Sequence, residues 1–212
     1  MKDRATLAQV RGAGENVAAS DLDIDALKAG DRNTLDQFYR DHARKVLNWT
    51  TRLGGPNIDP EDVAQDVFAI AMTRLDRYRS EAGSLTGWLY GITRRVVANA
   101  RRRAALRRMV GLADVREPPH PGPGVDEEVA AMWRRRKVIS ALDRLSLKHR
   151  EVIVLMDLEE RTAPETALIL GCSVGTVYSR LHYARKQFGV AVRREMGEIR
   201  HALLTPAVEV TS

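Results

Sequence analysis

Cysteine is almost missing from this chain. Cys172 is the one thiol among 212 residues, which excludes an intrachain disulfide and any zinc site built on cysteines. The five histidines fall at no metal-ligand spacing. No uninterrupted apolar stretch of signal-peptide length opens the chain, and no segment is long enough to span a bilayer. The expectation is a cytoplasmic, reduced protein with no membrane insertion of its own. β-alternation and internal repeats are lacking as well. No phosphate loop, metal cluster or nucleophile–base arrangement accompanies the carboxylates, so catalysis has no foothold and no cofactor is implied.

The most telling absence is of negative charge. No acidic residue lies between Glu81 and Asp114, where Arg94, Arg95, Arg101, Arg102, Arg103, Arg107 and Arg108 are found. None lies between Glu165 and Glu195 either, where Arg180, Arg185, Lys186, Arg193 and Arg194 are found. The acids gather elsewhere: residues 21–41 hold six aspartates, and Asp59, Glu61, Asp62 and Asp66 cluster. A net charge of +6 by itself says little, but segregated charge points to nucleic acid and to a second, different partner.

What is present is helical. Gly171-Cys172-Ser173-Val174-Gly175-Thr176-Val177-Tyr178-Ser179-Arg180-Leu181 reads as the turn and second helix of a helix-turn-helix. Ala167, Gly171, Val177 and Leu181 supply the small residue between the helices, the turn glycine and two apolar anchors. Thr162-Ala163-Pro164-Glu165 has the pattern of a capping box with proline in the first turn, and Ser173 can cap the second helix. Such a helix offers its N-terminal residues to base edges in the major groove. Cys172 reads as a small side chain packed in the turn, redox sensing being the alternative.

The expected fold is all-α, two small helical domains joined by a Pro/Gly-rich linker, the second containing the helix-turn-helix. Residues 1–20 are small, polar and aperiodic, a mobile extension. Residues 21–110 form the first domain. Gly30-Asp31 separates its first two helices, and Gly54-Gly55-Pro56 stops the second. A third helix runs from about Pro60 to Tyr78 and a fourth from Ser84 to about Met109. Residues 111–126 hold Pro118, Pro119, Pro121 and Pro123, half of the chain's prolines, and read as an extended linker. Residues 127–196 form the second domain, with a helix from Ser146 to about Leu158, and 197–212 a tail.

Three surfaces stand out. On the third helix Val63, Ala64, Val67, Phe68, Ile70, Ala71 and Leu75 make a core stripe. Asp62, Gln65, Asp66, Ala69 and Thr73 lie opposite, either a solvated face or an interface. On the fourth helix Leu85, Leu89, Ile92, Val96 and Ala100 share one side, and Arg94, Arg101 and Arg102 point away. Trp88 and Tyr90 stand near its start, after the loop from Tyr78 to Gly83. Arginines beside aromatic rings suit single-stranded nucleic acid, although Trp88 can equally be core. On the recognition helix, centring burial on Val177 adds Leu181, Ala184 and Phe188. Gly175, Thr176, Ser179, His182, Tyr183 and Lys186 then face outward, with Arg180 and Arg185 flanking for phosphates. His182 is also readable as a groove residue without a titrating role.

Together these blocks resemble a bacterial RNA polymerase sigma factor of the extracytoplasmic-function (ECF) type, in the sigma-70 family, over about residues 24–190. Leu27-Lys28-Ala29-Gly30-Asp31 through Phe38-Tyr39 is similar to the family's first helices. Asp59-Pro60-Glu61-Asp62-Val63-Ala64-Gln65-Asp66-Val67-Phe68 is similar to its polymerase-binding helix. Trp88-Leu89-Tyr90 and the arginine run are similar to its promoter-melting helix, and Gly175 to Leu181 to its recognition helix.

The resemblance implies contact of Asp62, Gln65 and Asp66 with the clamp of the largest subunit of core RNA polymerase. It implies minus-ten binding by Tyr78, Arg79, Ser84, Trp88, Tyr90, Arg94, Arg95, Asn99, Arg101 and Arg102. Minus-thirty-five binding falls to Ser173, Gly175, Thr176, Tyr178, Ser179, Arg180, His182, Tyr183, Arg185 and Lys186. It further implies promoter DNA and an anti-sigma factor as partners, and no catalysis. The chain departs from the pattern at Gly91, where a basic residue is common, and at Arg95 and Asn99, where Asn and Asp are usual. Ser146 stands for a common Pro and Thr166 for a usual Ile. A helix-turn-helix repressor or response-regulator output module explains the second half alone and leaves the acidic and arginine helices idle. A nucleic-acid enzyme lacks any site.

Overall fold

Short polar side chains start nearly every helix. In the computed structural model, which describes residues 22–111 and 127–204, Asp23 accepts the amide protons of Asp25 and Ala26 to begin α1 (Ile24–Lys28). Asp31 does the same with Thr34 N at 2.9 Å for α2 (Arg32–Gly54). Asp59 receives Glu61 N and Asp62 N for α3 (Pro60–Arg74), which opens on proline. Ser84 receives Gly87 N at 3.1 Å for α4 (Leu85–Met109). Each cap satisfies a donor that the first turn leaves without a partner.

The second half holds α5 (Glu127–Asp143), α6 (Leu147–Ile153), α7 (Ala163–Leu170) and α8 (Val174–Leu204). Thr162 and Glu165 form a complete capping box at the start of α7. The expected linker, 111–126, lies outside the described residues apart from Gly111, as do the N-terminal extension through residue 21 and the chain after Leu204.

Three element boundaries differ from the sequence expectation. Helix α3 ends at Arg74, and the chain tightens through 3₁₀ turns at Leu75–Arg77 and Ser80–Ala82. These turns let Leu75 and Tyr78 both stay buried. The helix begun after Ser146 is α-helical only to Ile153 and widens into a π turn over Val154–Leu158. Val152, Ile153, Val154 and Leu155 are all buried in succession, and Leu158 returns to the same core; the wider turn accommodates a run too long for one helical face. Helix α8 passes Gly197 without a break and ends at Leu204, so the tail begins later than residue 197.

In the first half, Val63, Val67 and Ala71 of α3 meet Leu89, Val96 and Ala100 of α4 over Leu27, Phe38, Val46, Trp49 and Leu53. Trp49 stands edge-on to Tyr90 at 5.1 Å, a geometry favoured by the ring quadrupoles. In the second half, Leu142, Leu145, Ile153 and Leu155 pack on Leu181, Ala184, Phe188 and Ala191 of α8. The two halves also touch each other. Helix α2 packs on α5 and α6, and α4 packs on α7.

A polar seam lines that contact. The Arg150 side chain is fully buried. It donates to Leu53 O at 2.5 Å across the seam, and to Asp143 O (2.7 Å), Asp143 Oδ1 (2.9 Å) and Leu145 O (3.3 Å) in its own half. Arg101 donates to Gly54 O at 2.8 Å and pairs with Asp143. Arg94 pairs with Glu151, and Arg52 with Glu159. Burial, with Arg101 nearby, pushes the Arg150 guanidinium down to about 10 against the pull of Asp143.

Candidate nucleic-acid interface

The helix-turn-helix owes its angle to one left-handed residue. Gly171 ends α7 at φ +63, ψ 45, a region that costs glycine nothing. Cys172 N then donates to Ala167 O at 3.0 Å, and Ser173 caps α8 through Thr176 N at 3.1 Å. Ala163, Ala167 and Val177 close the junction, and half-buried Cys172 packs against them. Thr166, in place of a larger aliphatic, is fully buried and donates its hydroxyl to Met156 Sδ at 3.3 Å.

On α8, Val177, Leu181, Ala184 and Phe188 are buried. Ser173, Gly175, Tyr178, Ser179, His182, Tyr183, Arg185 and Lys186 stand toward solvent. Thr176 lies beside the cap, its hydroxyl 2.8 Å from Ser173 Oγ, so it offers bases less than its position suggests. Ser179 Oγ donates to Thr176 O at 3.0 Å and keeps its lone pairs outward. Arg180 is half-buried, with Nη1 3.9 Å from Cys172 Sγ. Arg185 forks onto Asp157, at 2.5 Å and 3.0 Å; that hydrogen bonding raises its pKa against a smaller desolvation cost.

The loop before α4 is held by Tyr78. Its ring is buried 5.5 Å from that of Trp88, and its hydroxyl donates to Gly83 O at 3.0 Å. Burial, then Glu81, raises the Tyr78 pKa. Arg79 is exposed and donates to Asp76 O and Tyr78 O. Trp88 is half-buried, and Arg102 donates to Asn99 Oδ1 on the outer side of α4, which Arg95 shares.

Tyr90 requires a correction. It is 1 % exposed, its ring sits against Trp49, and its buried hydroxyl has no partner. No base can stack on it in this arrangement. Tyr90, Thr93 and Val97 repeat at helical spacing as a second buried stripe, because α4 is covered on more than one side. Arg94 and Arg101 also differ from expectation: rather than pointing into solvent, they are tied to Glu151 and Asp143.

On α3, Asp62, Gln65, Asp66, Ala69 and Thr73 are all exposed, opposite buried Val63, Val67 and Ala71. Asp66 lies 3.7 Å from Arg103, both more than half exposed; a pair so open to water contributes little. Tyr39, 55 % exposed, leans on Phe68 at 4.8 Å beside this face.

The residues missed in the sequence are those of the seam: Arg52, Asp143, Arg150, Glu151 and Glu159. The one signal was Arg150-Glu151 abutting the apolar run Val152-Leu155, since charges so placed in a short helix are rarely both solvated.

Comparison with known proteins decides what these surfaces belong to. The sigma-70 region 2 family matches residues 38–107, and the sigma-70 region 4 family matches residues 135–188. The chain is 31% identical over 159 residues to the RNA polymerase sigma factor NccH of Alcaligenes xylosoxydans xylosoxydans, an alignment spanning 74% of this chain and 85% of NccH. It is 29% identical over 177 residues to the ECF RNA polymerase sigma factor SigL of Mycobacterium tuberculosis, covering 84% and 98% of the two chains. The chain is an ECF-type sigma factor of the sigma-70 family.

Its fold is shared with CnrH, solved in complex with the cytosolic domain of CnrY, at a TM-score of 0.57 and 22% identity over 92% of this chain and 99% of CnrH. As a sigma factor it directs RNA polymerase to promoters and is itself non-catalytic. Region 4 spans the helix-turn-helix, and region 2 spans α3 and most of α4. Among the described residues, no helix is long and apolar enough to cross a membrane.

Proposed function

We propose a division of labour among three faces of this sigma factor, carried chiefly by one observation: the outward face of α8 is polar and open along its whole N-terminal half. The domain comprising residues 127–196 reads the minus-thirty-five element in duplex form. Ser179, His182, Tyr183 and Lys186 face the bases. Arg180 and Arg185 hold phosphates, the latter exchanging Asp157 for DNA. Residues 21–110 form the second functional unit. Asp62, Gln65 and Asp66 contact the clamp of the largest polymerase subunit, and the Tyr78–Ser84 loop with Trp88 reads a melted minus-ten base. Arg79, Arg94, Arg95, Asn99, Arg101 and Arg102 track the strand. The segment 111–126 connects the two through the polymerase cleft. The protein works in the cytoplasm and is held in check by an anti-sigma factor. Two proteins of similar fold support that last reading: CnrH, solved with the cytosolic domain of CnrY, and the sigma factor RpoE of Bartonella quintana, solved with the anti-sigma factor NepR.

The test of the duplex reader is a pair of substitutions with opposite signatures. Ser179→Ala alters base preference at a few minus-thirty-five positions. Arg185→Ala weakens all promoters alike and lowers the slope of log K against log salt by about one. Binding titrations on a promoter library at several salt concentrations check both; equal, sequence-blind losses would reassign the faces.

The single-strand reader has its own test. Flipping a base from duplex costs a few kcal/mol, so a template already open binds better. Holoenzyme is expected to favour a promoter carrying a mismatched bubble at the minus-ten element by tenfold or more, about 1.4 kcal/mol. Exchanging Arg79 and Ser80 in the loop for alanine removes sequence preference within the bubble. Competition between bubble and duplex templates in run-off transcription measures this.

A further inference from the structure

We infer that the free chain is closed upon itself: the C-terminal domain lies over the proposed strand-tracking surface, and its carboxylates Glu151 and Asp143 hold Arg94 and Arg101 in place of DNA phosphates. The inference rests on the assignment of those arginines made above.

Four observations carry it. Arg94 Nε pairs with Glu151, whose carboxylate is fully buried in the contact while Arg94 keeps 40% of its side-chain exposure. Arg101 pairs with Asp143 beside the C-terminal carbonyl of Gly54. Arg52 and Glu159 form a further ion pair across the seam, both largely withdrawn from water. The fourth observation is steric: a methyl group placed on Gly87 would meet Ile169 Cγ1 at 3.5 Å, so α7 sits directly on the start of α4, one residue from Trp88. A strand cannot lie along α4 while α7 and α6 remain there.

The closure also conflicts with promoter geometry. About 25 base pairs at about 3.4 Å each separate a minus-ten from a minus-thirty-five element by roughly 80 Å. Domains in van der Waals contact cannot bridge that span, so the chain must open to use both readers. The seam is built to release. Glu151 Oε2 is buried without a partner, and buried ion pairs return little beyond their desolvation cost. Burial accordingly holds the Glu151 carboxyl above its usual range, against the pull of Arg94. Polyanionic DNA supplies the arginines with solvated, multivalent partners instead, and mass action favours the open form once strand or polymerase is bound.

A reversible crosslink tests this on the full chain. Gly87→Cys and Ile169→Cys, in a Cys172→Ser background, place thiols within disulfide reach of each other. Oxidation is expected to give the intramolecular crosslink in high yield. The crosslinked chain should bind fluorescein-labelled single-stranded dT20 at least tenfold more weakly than the reduced chain in anisotropy titrations. It should also fail to assemble on core polymerase until reductant is added. Glu151→Lys, which sets like charges against each other at the seam, should raise strand affinity and increase the radius of gyration in small-angle scattering. Failure of the crosslink to form, or equal strand affinity of oxidised and reduced chains, overturns the closure. If Arg94→Ala and Arg101→Ala leave strand affinity unchanged, the arginine assignment fails and takes the closure, as stated, with it. A crosslink without effect alongside weakened alanine variants overturns the closure alone.

Discussion

Replacing Asp62 and Asp66 together with arginine abolishes holoenzyme formation while the protein stays folded. Both carboxylates stand in water on α3, with the core-forming Val63, Val67 and Ala71 on the other side, so the substitutions create no cavity and strand no buried group. The structural cost is small and has two parts. Asp62 lies in the first turn of α3, where a negative charge is worth about 0.3–1 kcal/mol against the helix dipole. Asp66 gives up an exposed pair with Arg103 worth roughly 0–1 kcal/mol. Reversing two charges at the centre of an interface costs far more, about 3 kcal/mol or above, which is over 100-fold in Kd. Circular dichroism and thermal melting beside a core-polymerase pull-down separate the two effects. Normal assembly by the folded double variant would place the polymerase contact on another face.

Arg150→Ala is expected to be the most damaging single substitution in the second half of the chain. The guanidinium is fully buried and serves Leu53 O, Asp143 O, Asp143 Oδ1 and Leu145 O at once. Truncation leaves three carbonyls and a partly buried carboxylate with partners gone. Breaking a buried charge pair from one side typically costs about 3–5 kcal/mol. For units of this size that lowers Tm by well over 10 °C, at roughly 4–8 °C per kcal/mol. Lysine rescues little, since one ammonium cannot span acceptors arranged for a planar fork. Arg150→Met is the informative control: it fills the volume, so a loss close to that of alanine assigns the effect to the hydrogen bonds. Differential scanning calorimetry of the three variants makes the comparison, and a drop of only a few degrees for Arg150→Ala would show the network to be dispensable.

Much of the fold was legible because its signals are local. Asp31, Asp59, Ser84, Thr162 and Ser173 announce helix starts through side-chain chemistry that acts within three residues. Gly171 announces the turn by needing a positive φ. The burial of Val177, Leu181, Ala184 and Phe188 follows from a 3.6-residue period on a helix covered from one side. The exposure of Asp62, Gln65 and Asp66 follows in the same way on α3. Where a helix is covered on several sides the rule weakens. Tyr90 looked available for a base because Leu89, Ile92 and Val96 already supplied one apolar stripe, yet α4 buries a second stripe through Tyr90, Thr93 and Val97.

Spacing and side-chain types a few residues apart were enough to establish the all-helical architecture, the position of the DNA-reading helix and the segregation of acidic and basic surfaces. Through four ordered motifs they established the family as well. Which charges are free to act emerged from tertiary packing alone. Arg94 finds Glu151 57 residues later, Arg101 finds Asp143 42 residues later, and Arg52 finds Glu159 107 residues later. An arginine that reads as a phosphate anchor and one that reads as half of a buried ion pair have the same local sequence. The difference lies in what folds against them, because the energy of a charge depends on the water around it and on partners that no local pattern encodes.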